Sequence, residues 1–265
     1  MGATGLRRGL IGLVVFVAFW QVVTSFDEWV GISLPLVARL PPPSSVVEAF
    51  TDLVVTAGFW ESAYLSFVRV MWGFLAAMVI GIPFGLLMAV SRTAKAICFP
   101  PFEILRPIPP LAWVPAAIIF WPTQELSITF VTFLGAFFTV VINTVGGAEQ
   151  IDRRFLLAAR SMGADKRTIF RKVLLPATLP SIATGAVVGM GITWQVVVAA
   201  EMISGGGGGT GEGGGGLGFL IWNSYLGGAI PQVVVGMIGL GVAGYVSSTL
   251  VRMLSTRLMP WKRAT

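Results

Sequence analysis

The chain has no histidine and a single cysteine, Cys98. Without histidine there is no haem or His-zinc ligation and no imidazole acid-base chemistry near neutral pH. One thiol excludes a disulfide framework within the chain, and Cys98, with no imidazole to activate it, reads as a packing residue. Charge is scarce too: 18 Lys and Arg with 12 Asp and Glu make 11% of 265 residues, against about 25% in a soluble globular domain. With 55% apolar residues and a mean hydropathy of +0.84, the chain cannot coat a soluble body with polar surface. No G-x-x-x-x-G-K-[ST] run occurs, so the chain carries no phosphate cradle of that kind and binds no cofactor by any motif it displays.

What is present is apolar sequence in membrane-crossing lengths, which predicts an all-α polytopic membrane protein. Five clear spans fall at 9–23, 64–90, 127–145, 180–200 and 233–254, and a sixth, irregular one at 99–121. The irregular segment and its edge hold Pro100, Pro101, Pro107, Pro109, Pro110, Pro115 and Pro122, seven of the chain's 16 prolines. Pro107, Pro109 and Pro110 cannot share one continuous helix, because each lacks an amide proton and collides with the preceding turn. Broken backbone at membrane depth is tolerated only inside protein or beside a water-filled path, so this segment is the candidate pore lining. The first span follows Arg7 and Arg8 and has the look of a signal peptide; five further spans favour its retention as a signal anchor.

The basic residues are placed asymmetrically. Arg7, Arg8, Arg92, Lys95, seven residues between 153 and 172, Arg252, Arg257, Lys262 and Arg263 fall on one side of a six-span layout. Asp27, Glu28, Glu48, Asp52, Glu61, Glu125, Glu201 and Glu212 fall on the other, with Arg39 as its one clear cation. The positive-inside rule then puts both termini in the cytoplasm, and the net charge of +6 serves topology rather than nucleic acid. Gly81 with Gly85, and Gly185 with Gly189, have the GxxxG spacing of close helix packing, within one subunit or across a dimer seam. Residues 1–63 thus form a first span and outer linker, 64–254 a five-span core, and 255–265 a basic tail.

Residues 149–176 lie between the fourth and fifth spans. Asp152 and Asp165 are N-cap candidates, Gly163 a helix stop, and Pro176 a second stop, which predicts two short helices hinged at glycine. Phe155, Ala158, Ala159 and Met162 share one face, Ile169, Phe170 and Val173 another, and basic residues fill the rest. Such a hairpin either lies on anionic lipid or enters a groove of a soluble partner.

Ala158, Ala159, Gly163, Ala164, Phe170, Val173, Leu175, Pro176 and Pro180 resemble, in spacing, the EAA loop of binding-protein-dependent ABC importer permeases. Leu157 stands where that motif opens with an acid. LRPIPPLAWVP at 105–115, AAEMISG at 199–205 and GLGFLIWNSY at 216–225 are similar to the nitrate, sulfonate, taurine and bicarbonate group of that family. The resemblance implies a type I, MetI-like permease of the bacterial inner membrane and a second permease copy, with a homodimer expected. It also implies cytoplasmic ATPase subunits that hold ATP and Mg2+, and an extracytoplasmic substrate-binding protein. It places ATPase docking on Phe155, Leu157, Ala158, Ala159, Met162, Gly163, Ala164 and Phe170.

For the substrate pathway the candidates are Arg106, Pro109, Pro110, Trp113, Trp194, Gln195 and Glu201. Arg106 is costly at membrane depth unless paired or hydrated; Glu103, three residues back, offers a helical partner, and a small anionic cargo is the other reading. Trp113 and Trp194 serve equally as packing or interfacial residues, and Glu201 is expected at the membrane interface. The ten glycines within 205–216 are read as a flexible outer linker. A stand-alone channel or secondary carrier is the alternative class, although carriers pair two broken helices where this chain shows one. An intramembrane enzyme lacks the histidine or paired buried carboxylates it needs.

Overall fold

The computed structural model describes residues 3–30, 40–204 and 215–263. The outer charges Arg39 and Glu212 and most of the glycine run lie outside the described residues, as do the last two residues of the tail. Among the described residues all regular structure is helical. Helix α1 spans Ala3–Val30 and α2 spans Pro43–Val54. The outer linker therefore contains a helix that the sequence reading did not include: Pro43 occupies its first turn, where a missing amide proton costs nothing.

Helix α3, Ala57–Val90, starts earlier than its apolar run and holds Pro83 in its interior. Ser91 then caps α4, Arg92–Leu105, its Oγ accepting from the Ala94 amide at 3.2 Å. The chain breaks at 106–109, makes one tight turn at Pro110–Trp113, and resumes as α5, Val114–Phe120. The two limbs meet at 90°, as the proline cluster predicts. Helix α6 runs Gln124–Glu149 behind a Thr123 cap. Among the described residues α1, α3, α6, α9 (Leu175–Ser204) and α11 (Ile230–Leu258) are long and apolar enough to cross a membrane, and counting the bent α4–α5 pair as one span brings the candidates to six.

The core forms where α6 packs between α3 and α9, through Val70, Phe74 and Ala77, Val131 and Ala136, and Ala186, Met190 and Val197. Apolar area gives no driving force in lipid, so backbone approach must supply dispersion contacts instead. The glycines do this within the subunit. A Cβ on Gly73 would stand 2.2 Å from Thr132 Oγ1, one on Gly85 2.8 Å from Thr144 Cβ, and one on Gly185 2.8 Å from Asn143 Cβ. Cys98 packs against the cluster of Met88, Phe102, Val141 and Val145.

Candidate functional site

The hairpin is built largely as its caps predict. Helix α7, Arg153–Ser161, starts where Asp152 Oδ1 accepts from the Arg154 amide at 2.9 Å. It ends in a Schellman turn: Gly163 sits at φ +79°, the Ala164 amide donates to Ala159 O at 3.0 Å, and the Gly163 amide to Arg160 O at 2.9 Å. Asp165 starts α8, Lys166–Ile169, by accepting from the Thr168 amide at 3.1 Å. The hydroxyl and amide of Thr168 hold the Asp165 carboxyl below its ordinary range.

The expected stop at Pro176 does not occur. Residues Phe170–Leu174 form a π-turn in which the Leu175 amide reaches back to Phe170 O, and the helix continues into α9. The wider turn shifts the register just ahead of Pro176, so that its ring is accommodated. One rod of 39 residues, Lys166–Ser204, thus joins the hairpin to the core.

Of the docking candidates, Phe155, Leu157 and Met162 are 65%, 60% and 80% exposed, a large apolar display on a segment rich in arginine and lysine. Ala158 is exposed beside them, Ala159 is buried, and Ala164 and Phe170 face partly inward as supports. Phe155, Ala158, Met162, Val173 and Pro176 line a groove of about 500 Å³, which Trp261 of the tail completes.

The structure separates the pathway candidates. Arg106 and Pro110 border a cavity of about 330 Å³ with Gly135, Phe138, Thr139 and Ile192, halfway along α6. Arg106 Nη1 lies 3.2 Å from Glu103 Oε1, and both side chains are partly exposed. Pro109 is exposed at the bend, and Trp113 is half-buried with its indole nitrogen unpartnered. Trp194 and Gln195 line a different groove, of about 650 Å³, with Ile221, Met237, Gly241 and Tyr245. Trp194 is itself buried and donates to Ser247 Oγ at 2.8 Å.

Glu201 is 1% exposed, and its partner is Arg69, a cation within a candidate span that the sequence reading passed over. Arg69 Nη1 donates to Glu201 Oε1 at 2.9 Å, while Nε donates to Glu125 Oε2 at 2.8 Å and Nη2 bonds the same carboxylate. Ser66 Oγ donates to Glu201 Oε1 at 2.8 Å and accepts from the Leu217 amide at 2.8 Å. The Gly218 amide donates to Glu201 Oε2 at 2.9 Å, and Arg69 also donates to Gly215 O. The cluster ties AAEMISG to GLGF in the fold. A Cβ on Gly216, at φ +141°, would stand 2.4 Å from the Glu201 carboxyl carbon, and one on Gly218 2.4 Å from Val198 O. The signal in the sequence was the one arginine inside the span at 64–90, since an ionisable residue in a span needs a named partner.

Membrane-length helices packed on glycine, one span broken by prolines, and an exposed amphipathic hairpin between spans define the membrane subunit of a transport system. Residues 81–264 match the family described as binding-protein-dependent transport system inner membrane component, and the chain belongs to that family of ABC importer permeases. It is 36% identical over 268 residues to the nitrate import permease protein NrtB of Leptolyngbya laminosa, spanning 96% of this chain and 89% of that one. It is 31% identical to the taurine transport system permease protein TauC of Escherichia coli, over 88% of this chain and 84% of the relative. The bicarbonate transport system permease protein CmpB of Synechococcus elongatus is 31% identical over 94% and 88%. A chain of the methionine ABC transporter MetNI, solved in inward-facing conformations, superposes with a TM-score of 0.54 at 26% identity, over 78% of this chain and 95% of that one. The chain is a multi-pass inner-membrane permease, a transport subunit of its family.

Proposed function

We propose that the chain imports a small anion, of the size and charge of nitrate, bicarbonate or a sulfonate such as taurine, by alternating access. Two copies form the pathway. Cytoplasmic ATPase subunits, which hold ATP and Mg2+, drive it through the hairpin at 149–176, and an extracytoplasmic binding protein delivers the cargo. The observation that carries this reading is the apolar display of Phe155 and Met162, exposed on one face of a capped basic hairpin whose second helix is continuous with a core helix. Force on α7 passes through the capped Gly163 turn to the rod at 166–204, which the π-turn keeps unbroken as far as the core.

The relatives' cargoes support a small oxyanion or sulfonate. So does Arg106, whose guanidinium borders the mid-bundle cavity and gives it a positive field. The asymmetry of basic residues supports a cytoplasmic hairpin and cytoplasmic termini. The division into 1–63, the core at 64–254 and the tail at 255–265 goes with that topology.

Reconstitution of the chain with its ATPase in proteoliposomes, with the binding protein added outside, tests the reading. Uptake of nitrate, bicarbonate or taurine is expected only when ATP, ATPase and binding protein are all present. Uptake by the permease alone, or uptake of none of the three solutes by the complete system, would contradict it.

A further inference from the structure

Helix α11 carries the C-terminal tail to the hairpin. The helix is fixed on two sides: Ile221 of α10, Leu217–Leu226, lies against Gly236, and Trp194 of α9 donates to Ser247 Oγ at 2.8 Å. It ends at Leu258, and Pro260 opens a tight turn, Pro260–Arg263. Between them Met259 is buried and borders Pro180 and Ala183 of α9. Two residues on, Trp261 stands by Pro176 and Ala177, one helical turn closer to the hairpin. The tail is thus pinned by Met259 and delivers an indole to the groove of about 500 Å³ that Phe155, Ala158 and Met162 line from α7. Trp261 is half-exposed there, and the groove stays open beside it.

We propose that Trp261 belongs to the ATPase-docking surface, and that the groove it completes receives an apolar side chain of the ATPase flanked by carboxylates. This rests on the reading as an ABC importer permease and adds the C-terminal tail to the docking surface, which the sequence placed on the hairpin alone. The groove is continuous with the exposed faces of Phe155 and Met162, which that reading gives to the ATPase. It is concave, which suits a protruding side chain of a folded partner, whereas a hairpin that only lies on lipid needs a level apolar face. Lys172 lines it, and Arg160 and Arg171 are exposed on the same hairpin, so acids around the incoming apolar group are favoured. Tryptophan is the residue type that most often carries binding energy at an interface, because it offers a large, rigid contact area at small entropic cost.

Thiol protection tests the proposal. Trp261→Cys in a Cys98→Ser background leaves the chain a single thiol, whose labelling by a water-soluble maleimide is timed in three settings: nanodiscs of zwitterionic lipid, nanodiscs containing anionic lipid, and nanodiscs with the ATPase bound at saturating concentration. The expected result is rapid labelling in both lipids and labelling on the order of tenfold slower with the ATPase. Slow labelling before the ATPase is added gives the groove to lipid or to the chain itself and overturns the proposal, as does undiminished labelling in the complex. A second measurement is the dissociation constant of the ATPase. Trp261→Ala should raise it roughly tenfold, and Trp261→Phe should keep it near the wild-type value. Both should unfold at the wild-type temperature, because the side chain is half-exposed. An alanine variant that binds as tightly as the wild type would also overturn the proposal. A wild-type chain that binds no ATPase would instead remove the permease reading, so the two failures are distinct.

Discussion

Arg69 and Glu201 stand 132 residues apart in the chain and 2.9 Å apart in the fold, with Glu201 sealed from solvent and Arg69 nearly so. Each justifies the burial of the other. Glu201 has further donors in Ser66 and the Gly218 amide, and Arg69 a further acceptor in Glu125, so the pair's hydrogen-bonding groups are well satisfied. Removing one member of a buried pair is costly because the survivor remains in low dielectric. Glu201→Ala should therefore lose about 3–5 kcal/mol of stability. Glu125→Gln, on the half-exposed side, should lose about 1 kcal/mol or less. Thermal unfolding of the two variants in detergent gives the comparison, and equal losses would contradict the burial argument.

Adjacent glycines make a sharper packing test. A Cβ on Gly147 would stand 2.3 Å from Ser181 Cβ, whereas one on Gly146 meets nothing within 4 Å. Gly147→Ala should cost about 1–3 kcal/mol through overpacking. Gly146→Ala should be neutral or up to about 1 kcal/mol stabilising, because alanine is the better helix former. Unfolding midpoints of the two variants decide the matter.

Arg106 is partly exposed, and its ion pair with Glu103 is a surface-type contact. Arg106→Gln should change stability by no more than about 0.5 kcal/mol. If the guanidinium serves the cargo, anion uptake in proteoliposomes should fall by about tenfold, equivalent to about 1.4 kcal/mol. Unchanged uptake would leave Arg106 only its pairing with Glu103.

Asp165 gives a pH signature. Its carboxyl is held below the ordinary aspartate value by the hydroxyl and amide of Thr168. The cap's contribution is therefore complete above that ordinary value and is lost as pH falls through the lowered one. Titration of the Asp165 carboxyl by NMR should give a midpoint below about 3.9. Thr168→Ala removes the hydroxyl and keeps the amide, so the midpoint should rise part of the way back.

The legible parts of the sequence were those whose causes are local. Apolar length located the membrane helices, the spacing of Pro107, Pro109 and Pro110 located the break before α5, and Asp152, Gly163 and Asp165 located the caps of the hairpin. Pro176 misled because proline need not end a helix: the chain runs on through Pro176 behind a π-turn at 170–174, as it does through Pro83 and Pro180 inside α3 and α9. Helix α2 was hidden within the segment read as an outer linker, where Pro43 occupies a helix start. The cluster of Arg69, Glu125 and Glu201 was invisible to spacing, since its members come from three helices and meet only through tertiary packing. The pathway candidates were scattered for the same reason: Arg106 and Trp194 line different grooves.

The hairpin carries the central claim, that this permease is driven through residues 149–176. Its most direct test is co-purification of the ATPase subunit with the wild-type chain and with a Phe155→Asp, Met162→Asp variant. Both side chains are mostly exposed, so the variant should fold and insert normally while an acid replaces each apolar contact. The account predicts that the wild type retains the ATPase and that the variant loses it with its unfolding temperature unchanged. A folded variant that still holds the ATPase at wild-type stoichiometry would contradict it.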